Sequence, residues 1–258
     1  MARAYTLITG ASQGIGLALA EELARTGAPL ILVARRAAVL KAEAQRLQRL
    51  YHVPVQAVAL DLSQPQAALQ LCQRLRQCRW AVDTLVNNAG FGVFGAFADQ
   101  PLPVVLNMLQ LNILTLTDLT HRLLPQLRQR RGRILNVAST AAFQPGPYLA
   151  AYYASKAYVL HFSEALANEL AGEVTVTALC PGPTATGFAQ RAGRGTQKLF
   201  KRVGTAAVTR VARAAIVGLQ RGQRVVVPGW KNQLLLLLVR LLPRRTVTAI
   251  IGHLSRPR

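Results

Sequence analysis

A tyrosine and a lysine four residues apart, Tyr152 and Lys156, are the side chains in this sequence best suited to proton transfer. On a helix, positions i and i+4 share one face, so the lysine ammonium would lie beside the tyrosine phenol. A free phenol has a pKa near ~10, and an adjacent ammonium favours the phenolate and lowers that pKa. The pair predicts acid–base chemistry, although such a spacing also arises by chance.

Three further polar groups are predicted at the same edge of the fold. Ser139 closes the fifth predicted strand, Asn112 lies on the long helix before it, and Asn87–Gly90 ends the fourth strand. Ligands of open α/β sheets bind beyond the carboxyl ends of the strands, where all of these groups map. This convergence turns the tyrosine–lysine pair into a candidate site.

A glycine-rich turn, Thr9–Gly16, connects the first predicted strand to the first helix. Glycines there permit a tight turn and let backbone N–H groups approach a pyrophosphate. The spacing G-x-x-x-G-x-G differs from the commonest dinucleotide fingerprint, and no Gly-Lys-Ser/Thr follows as in nucleotide triphosphatases. The turn predicts a dinucleotide site; a turn that merely packs helix against strand is the alternative.

Two arginines, Arg35 and Arg36, follow the second predicted strand. An acidic residue at this position would bind the ribose 2′-hydroxyl of NAD. A guanidinium instead binds a phosphate bidentately, whereas a carboxylate repels it. We therefore predict NADP(H) as the cofactor, the alternative being that both arginines form only the solvated start of a helix.

Short β-rich runs alternate with longer helical patterns as far as about Val227. The strands are continuous apolar runs, which is typical of strands buried on both faces. The alternation predicts an α/β fold, with a parallel sheet and helices on both of its faces, in a single domain over residues 1–258. The predicted strands are Tyr5–Ile8, Leu30–Val33, Val55–Ala59, Thr84–Val86, Arg133–Val137, Val174–Leu179 and Arg224–Val227, and the predicted helices are Gly16–Arg25, Ala37–Leu50, Gln66–Arg76, Val104–Arg130, Ala151–Leu170 and Val208–Gln220.

Together, and in this order, these motifs resemble the single-domain short-chain dehydrogenase/reductase family over about residues 4–228. The resemblance rests on Thr9–Gly16, Asn87–Gly90, Asn112, Ser139, Tyr152 with Lys156, and Pro181-Gly182. It implies a Rossmann-type, doubly wound parallel sheet of seven strands and an oxidoreductase activity. Leu32–Arg36 and Pro181–Phe188 are further similar to a broad, mostly bacterial reductase branch whose substrates are poorly known.

The resemblance also implies catalytic roles for four residues. Tyr152 would protonate the forming alkoxide, and Ser139 would donate a hydrogen bond to the substrate carbonyl oxygen. Lys156 would bind the nicotinamide ribose hydroxyls, and Asn112 would hold a water that connects Lys156 to solvent. The hydride itself would come from the cofactor.

The cofactor site implied by the resemblance is broader. Asp61 and Leu62 would contact the adenine, and the segment from Pro181 to Thr186 would hold the carboxamide. The predicted cofactor-binding residues are Gly10, Ser12, Gln13, Gly14, Ile15, Gly16, Arg35, Arg36, Asp61, Leu62, Asn88, Ala89, Gly90, Tyr152, Lys156, Pro181, Gly182, Thr184 and Thr186.

Aromatic residues fall in segments that border the active site in this family. We predict that Phe94, Phe143 and Phe188 line a lipophilic substrate pocket, with core packing as the alternative. Residues 187–205 are polar, basic and rich in glycine, which predicts a flexible substrate loop. The four histidines and three cysteines show no ligand spacing, so no metal site is predicted; the cysteine pattern fits a reduced, cytoplasmic compartment.

Positive charge accumulates toward the C-terminus. The chain has 31 Lys and Arg against 10 Asp and Glu, a net charge of +21, and no acidic residue follows Glu173. This asymmetry predicts an anionic partner, although an arginine-rich proteome would also explain it. Nucleic acid is not expected, because aromatic interleaving and a known recognition motif are both lacking.

With 51% hydrophobic residues the chain can bury a sizeable core, which excludes a disordered protein.

The C-terminal extension, residues 230–258, contains an apolar stretch, Leu234–Leu242, in which Arg240 is the one charge. This stretch is about half of the ~20 residues that a membrane-spanning helix needs, so an integral membrane protein is not expected. A helix apolar on all faces must be covered. We consider burial in an oligomer interface or over the pocket, and alternatively peripheral contact with an anionic membrane or an acidic carrier protein.

Two classes of function remain. An NADPH-dependent carbonyl reductase, reversible to an alcohol dehydrogenase, uses every motif; a non-catalytic NADPH-binding regulatory or scaffold protein has no need of a proton relay. The complete set Asn112, Ser139, Tyr152 and Lys156 favours the enzyme. Members of this family usually pair through the two helices that are Val104–Arg130 and Ala151–Leu170 in this chain. The resemblance therefore implies a homodimer or homotetramer, and we predict that it uses the second of these helices.

Overall fold

Seven parallel strands form one sheet in the order β3-β2-β1-β4-β5-β6-β7. This computed structural model describes residues 4–188, 192–193, 196 and 205–256. The strands are β1 Ala4–Thr9, β2 Leu30–Ala34, β3 Val55–Ala59, β4 Ala81–Asn87, β5 Arg133–Val137, β6 Thr175–Leu179 and β7 Val225–Val226. The order reverses between β1 and β4, which is where doubly wound sheets bind their ligands.

Helices cover both faces of the sheet. The main helices are α1 Gly14–Arg25, α2 Ala37–Tyr51, α3 Ala67–Gln77, α4 Leu102–Leu109, α5 Leu116–Gln129, α6 Ala150–Glu169, α7 Val208–Gln220, α8 Trp230–Leu241 and α9 Arg244–Ser255. α1, α2 and α7 pack on one face, and α3, α5 and α6 pack on the other. The predicted Rossmann-type, doubly wound fold is confirmed.

Alternation along the strands explains why the core has two layers. In β1, Ile8 joins the cluster beneath α1 and α7, whereas its neighbour Leu7 joins the cluster beneath α3 and α5. Successive side chains of a strand point to opposite faces, so a strand buried on both faces must be apolar throughout. The apolar runs in the sequence therefore predicted all seven strands, and the predicted ends differ by a few residues from those in the structure.

The predicted single helix over Val104–Arg130 is wrong in one respect. A π-helical segment, Gln110–Thr115, separates α4 from α5. π segments are rare and occur mostly as single turns inside α-helices, frequently at functional sites. This one carries Asn112, one of the predicted catalytic residues.

The same helical stretch, Leu102–Gln129, is long and apolar enough to cross a membrane by length and composition. Its side chains Leu119, Leu123 and Leu127 are buried against the sheet. The core helix of a globular fold meets the same criterion, and these contacts place α5 in that class. Most of the predicted loop 187–205 lies outside the described residues.

Candidate active site

The turns that follow β1 and β4 are joined by the side chains of Thr9 and Asn88. Thr9 Oγ1 accepts hydrogen bonds from the backbone N–H groups of Asn88 (2.9 Å) and Ala89 (3.0 Å). Asn88 Nδ2 donates to the carbonyl oxygens of Thr9 (2.8 Å) and Gly10 (3.2 Å). Asn88 thereby supports the glycine turn from beneath. Thr9 was not among the predicted site residues, although it stands at the start of the glycine motif.

The glycines of this turn are positions where a side chain would not fit, because the turn packs closely against its neighbours. Gly10 and Gly14 have φ of 67° and 59°, the left-handed region that glycine adopts without strain. A Cβ on Gly16 would lie 2.4 Å from both Asn88 Nδ2 and the Gly10 carbonyl oxygen. α1 begins at Gly14, so its free N–H groups face the turn, as phosphate binding requires. Ser12, Gln13 and Ile15 lie within the same turn and the start of this helix.

The predicted ribose-phosphate residues also lie close together. Arg36 donates a hydrogen bond to Oε1 of Gln13, and Arg35 Nη1 lies 4.0 Å from an Asp61 carboxylate oxygen. Burial opposes ionisation of Asp61, but hydrogen bonds from Ser63 Oγ and N, and the charge of Arg35, together lower its pKa. Both arginines are exposed at the end of β2, where the contact with a ribose 2′-phosphate was predicted.

Ser139 and Tyr152 meet beyond the carboxyl end of β5. Ser139 begins the short 3₁₀ helix Thr140–Phe143, and its Oγ accepts a hydrogen bond from Ala141 N at 3.1 Å. Burial raises the pKa of Tyr152, although a hydrogen bond with Ser139 acts in the opposite direction. The expectation that Lys156 lowers this pKa is wrong for the geometry seen here. The Lys156 Nζ lies 6.0 Å from the tyrosine ring centre, and desolvation of the phenol dominates.

Lys156 is a buried cation whose ammonium faces the backbone. Nζ donates to the Val137 carbonyl oxygen at 2.7 Å, and the residue is 6% exposed. Burial lowers the pKa of Lys156 to about 8, an effect that Cys180 partly opposes. A Cβ on Gly90 would lie 2.9 Å from Asn112 Oδ1 and 3.6 Å from Lys156 Nζ, so the absence of a side chain at Gly90 admits both groups.

Asn112 connects the loop after β4 to α6. Its Nδ2 donates to the Phe91 carbonyl oxygen and to Ser155 Oγ, each at 3.0 Å, and its Oδ1 accepts from Phe91 N at 3.2 Å. Ser155 Oγ in turn donates to the Tyr152 carbonyl oxygen at 2.7 Å. Ser155 is a positioning residue that the sequence analysis missed. Its place three residues after Tyr152, on the same helical face, is the signal that could have found it.

The three predicted pocket aromatics have different surroundings. The Phe188 ring centre lies 5.2 Å from that of Tyr152, and Phe94 stacks on Tyr148 at 6.3 Å. Phe143 packs against the buried cluster between α5, α6 and β6, the environment expected under the core alternative. Of the three, Phe188 is therefore the aromatic residue that lies beside the Tyr152 phenol, as a residue of the pocket wall would.

The segment from Pro181 to Thr186 approaches the glycine turn from the opposite side. Thr184 Oγ1 donates to the Gly182 carbonyl oxygen at 2.9 Å, and Thr186 N donates to the Thr184 carbonyl oxygen at 2.8 Å. A Cβ on Gly14 would lie 3.2 Å from Thr186. The segment thus borders the space in front of the turn, where the carboxamide contact was predicted. Leu62, the other predicted adenine contact, is buried, and its carbonyl oxygen accepts from Thr115 Oγ1 at 2.8 Å.

Replacing Lys156 with Met is expected to stabilise the cofactor-free protein at pH 7. Burial lowers the pKa of Lys156 in the folded protein to about 8, from 10.5 for an ordinary lysine. Between these two pKa values the unfolded state binds more protons than the folded state, so the free energy of unfolding of the wild-type protein rises with pH across that range. The charge removed is worth about 3 kcal/mol, from which the lost charge-assisted hydrogen bond to the Val137 carbonyl subtracts about 1.5–3 kcal/mol. Urea unfolding should give a net gain of up to about 1.5 kcal/mol at pH 7 that shrinks toward pH 10.

The exposed Lys41→Met variant serves as the control and should change the free energy of unfolding little at any pH. A loss of stability in Lys156→Met that is equal at all pH values would contradict the buried-cation interpretation.

Together, the reversed strand order, the glycine turn at its switch point and the Ser139–Tyr152–Lys156 group define a Rossmann-type oxidoreductase. A family model described as short chain dehydrogenase matches residues 4–197. This chain belongs to the short-chain dehydrogenase family.

Individual relatives are similar to this protein over most of its chain. The 11-beta-hydroxysteroid dehydrogenase-like 4A protein of Arabidopsis thaliana is 35% identical over 227 residues, or 87% of this chain and 76% of that protein. A short-chain dehydrogenase from Sphingobium yanoikuyae, solved in complex with NADPH, is 33% identical with a TM-score of 0.83, covering 99% of this chain and 96% of that one. A family member from Burkholderia phymatum, solved with NAD, is 25% identical with a TM-score of 0.82, covering 92% of each chain.

Proposed function

We propose that this protein is an NADP(H)-dependent oxidoreductase that transfers a hydride between NADPH and the carbonyl or alcohol group of a lipophilic substrate. The observation that carries the proposal is the meeting of Tyr152, Ser139 and Lys156 near the glycine turn at the point where the strand order reverses. The cofactor, when bound, supplies or accepts the hydride. The protein's own residues supply the proton and orient the reacting groups.

Tyr152 is the acid in this scheme. The phenol is protonated at neutral pH, and although burial makes it a weaker acid by raising its pKa, an alkoxide is more basic still, so Tyr152 can donate to the alkoxide as it forms. Ser139 Oγ, which a backbone N–H already orients, would donate to the same substrate oxygen. Lys156, with its pKa lowered to about 8, is suited to exchange protons near neutral pH and to bind the nicotinamide ribose hydroxyls. Asn112 would hold the water that links Lys156 to solvent.

Preference for NADP(H) is supported by the position of two guanidinium groups. Arg35 and Arg36 lie exposed at the end of β2, and Arg36 already contacts Gln13 of the glycine turn. Phosphate recognition by guanidinium is bidentate and charge-assisted. The two solved relatives named above contain NADPH in one case and NAD in the other, so the preference rests on the arginines.

A lipophilic substrate is supported by the aromatic contact on the catalytic phenol. Phe188 lies against Tyr152, and a Cβ on Gly92 would lie 3.0 Å from Phe188 and 3.2 Å from Tyr152. Gly92 thus lets the loop after β4 pack closely on both rings, and the apolar ring of Phe188 beside the phenol supports an apolar substrate. The name of the Arabidopsis relative, which refers to a hydroxysteroid, is in keeping with such a substrate.

Turnover tests the proposal against a non-catalytic NADPH-binding protein. Purified protein should oxidise NADPH in the presence of at least one member of a panel of ketones and aldehydes that ranges from sugars to steroids. Binding of NADPH without turnover on any of them would favour the regulatory or scaffold alternative.

We place the activity in the cytoplasm, with peripheral attachment at a membrane through the C-terminal extension.

A homodimer or homotetramer is proposed on the basis of an exposed apolar face on α4 and its π segment. Leu106 and Leu114 are 55% and 57% exposed, and Tyr158 of α6 lies beside this face, bonded to Thr117 Oγ1 at 2.9 Å. Light scattering at micromolar concentration should give a dimer or tetramer. Leu106→Asp with Leu114→Asp should give a monomer, whereas Leu50→Asp on α2 should not; a wild-type monomer would refute the assignment.

A further inference from the structure

Helix α8 carries an apolar stripe that the rest of the protein does not cover. Trp230, Leu234, Leu237, Leu238 and Leu241 are each between 48% and 73% exposed, and we call these residues the α8 stripe. Leu236 is the buried leucine of this helix. Ile250 of α9 is also exposed, at 46%. A helix face on which five large apolar side chains are exposed together marks an interaction site.

The stripe has basic residues on both flanks. At about 100° per residue, Trp230, Leu234, Leu237 and Leu241 fall within about 60° of one another around the helix. On the same geometry, Lys231 lies about 80° to one side of the stripe's centre, between Leu238 and the 46% exposed Leu235, and Arg240 lies about 100° to the other side. Both are exposed. An outward apolar face with a cation on each side is the arrangement of a helix that lies in a lipid–water interface.

The opposite side of α8 is fixed to the fold. Asn232 Nδ2 donates to the Pro228 carbonyl oxygen at 2.7 Å, and a Cβ on Gly182 would lie 2.5 Å from Asn232 Oδ1. Leu236, 7% exposed, is buried on this side. The helix is therefore held with its stripe outward, so the exposed leucines are not the result of an undocked tail.

Charge decides between the candidate occupants of the stripe. Arg244 and Arg245, both exposed, begin α9 beside it, and no Asp or Glu follows Glu173 in the sequence. A two-fold interface brings the same surface against itself, so a second copy would set these cations against their equivalents. A bilayer with anionic headgroups offers an apolar phase to the stripe and negative charge to its flanks.

We propose that α8 and the start of α9 dock this protein on a bilayer surface that contains anionic phospholipid. The α8 stripe enters the acyl boundary, and Lys231, Arg240, Arg244 and Arg245 lie at the headgroups. The attachment is peripheral, because α8 has 12 residues and a spanning helix needs ~20.

The docking surface adjoins the candidate active site. α8 contacts Gly182 through Asn232, and a Cβ on Gly252 of α9 would lie 3.3 Å from Pro147, in the loop that leads to Tyr152. A cavity of about 460 Å³ opens between that loop and α9, lined by Pro147, Tyr148, Gly252 and Arg256 among others. If the proposed function holds, a lipophilic substrate would reach the site from the bilayer; the docking itself does not depend on that function.

Vesicle sedimentation tests the docking without substrate or turnover. The protein should pellet with phosphatidylcholine–phosphatidylglycerol vesicles at low salt, less in high salt, and not with phosphatidylcholine alone. Leu237→Ser with Leu241→Ser should abolish pelleting, and Arg244→Glu with Arg245→Glu should weaken it at least about 30-fold. The matched controls are Val39→Ser with Leu50→Ser and Arg49→Glu with Arg74→Glu, which change equal numbers of exposed side chains on α2 and α3.

Tryptophan fluorescence gives a second readout. The chain contains two tryptophans, and Trp80 packs near Tyr5 at 6.2 Å, far along the sequence from the 68% exposed Trp230. In a Trp80→Phe background, anionic vesicles should shift the Trp230 emission to the blue, and the double serine variant should remove the shift. Circular dichroism and NADPH affinity verify that each variant is folded.

Loss of pelleting in the α8 and α9 variants, with both controls retained, supports the proposal. It is overturned by absence of pelleting, by an equal loss in Arg49→Glu with Arg74→Glu, or by binding to an acidic carrier protein in place of vesicles. It is also overturned if the serine pair converts an oligomer to a monomer while vesicles have no effect. An inactive protein that still docks would refute the proposed function alone.

Discussion

Replacing Tyr152 with Phe should lower kcat about 10²- to 10⁴-fold, the range typical of a lost general acid. Only the hydroxyl is removed, so the ring keeps its contacts with Phe188 and with the helix that carries it. The glycine turn, Arg35 and Arg36 are untouched, so the affinity for NADPH should stay nearly unchanged. Stopped-flow reduction of any accepted ketone, together with fluorescence titration of NADPH, measures both quantities.

Tyr153→Phe is the matched control for this prediction. The Tyr153 ring fills the space over Gly146, where a Cβ would lie 2.3 Å from a ring atom, and it meets the Tyr152 ring edge-on at 6.1 Å. Its role is therefore packing, and removal of its hydroxyl should change kcat little. If Tyr153→Phe inactivated the enzyme while Tyr152→Phe did not, the assignment of the proton donor would be wrong.

Arg35→Asp should reverse the preference between the two cofactors. A charge-assisted hydrogen bond contributes roughly 1.5–3 kcal/mol, which corresponds to an increase of about 10- to 150-fold in KM for NADPH. The new carboxylate would also repel the 2′-phosphate, while it could accept a hydrogen bond from the ribose 2′-hydroxyl of NADH. KM and kcat for both cofactors, measured with one substrate, test this directly.

Arg49→Asp makes the same charge change on the exposed end of α2, away from the glycine turn, and should leave the cofactor preference unchanged. A wild-type protein that prefers NADH would refute the NADP(H) proposal at once. The proximity of Asp61 to Arg35, at 4.0 Å, adds a second expectation: the Asp variant places two carboxylates together, so one of them should titrate at a higher pH than usual.

The strands and the grouping of the site could be predicted because they depend on strong local signals. A strand buried on both faces is apolar along its length, and β2, with the sequence LILVA, is buried and apolar at every position. The carboxyl ends of parallel strands share one edge, so Ser139 and the turn after β4 had to lie near each other. Helical spacing suggested the pair of Tyr152 and Lys156, and convergence with other polar groups at the same sheet edge made it a candidate site.

Other features depend on contacts that a sequence does not display. The pKa of Tyr152 is raised because the folded chain removes the phenol from water, an effect of tertiary burial that outweighs a neighbouring ammonium. Phe143 is equally apolar in a pocket wall and in a core, and only the position of α6 decides between them. The π segment has no composition that distinguishes it from the flanking α-helix.

Because of that π segment, the number of residues in this helix matters for the position of Asn112 in the candidate site. A π turn closes its hydrogen bonds between residues i and i+5, so it holds one residue more than an α turn, and the helix surface is rotated beyond it. Asn112 can therefore point toward Phe91 and Ser155 while Leu119, Leu123 and Leu127 still face the sheet. Deletion of a single residue between Gln110 and Thr115 would restore a regular helix. Either Asn112 or the three leucines would then point away from the groups that they contact. Evolution of this stretch should accordingly tolerate substitutions far better than insertions or deletions.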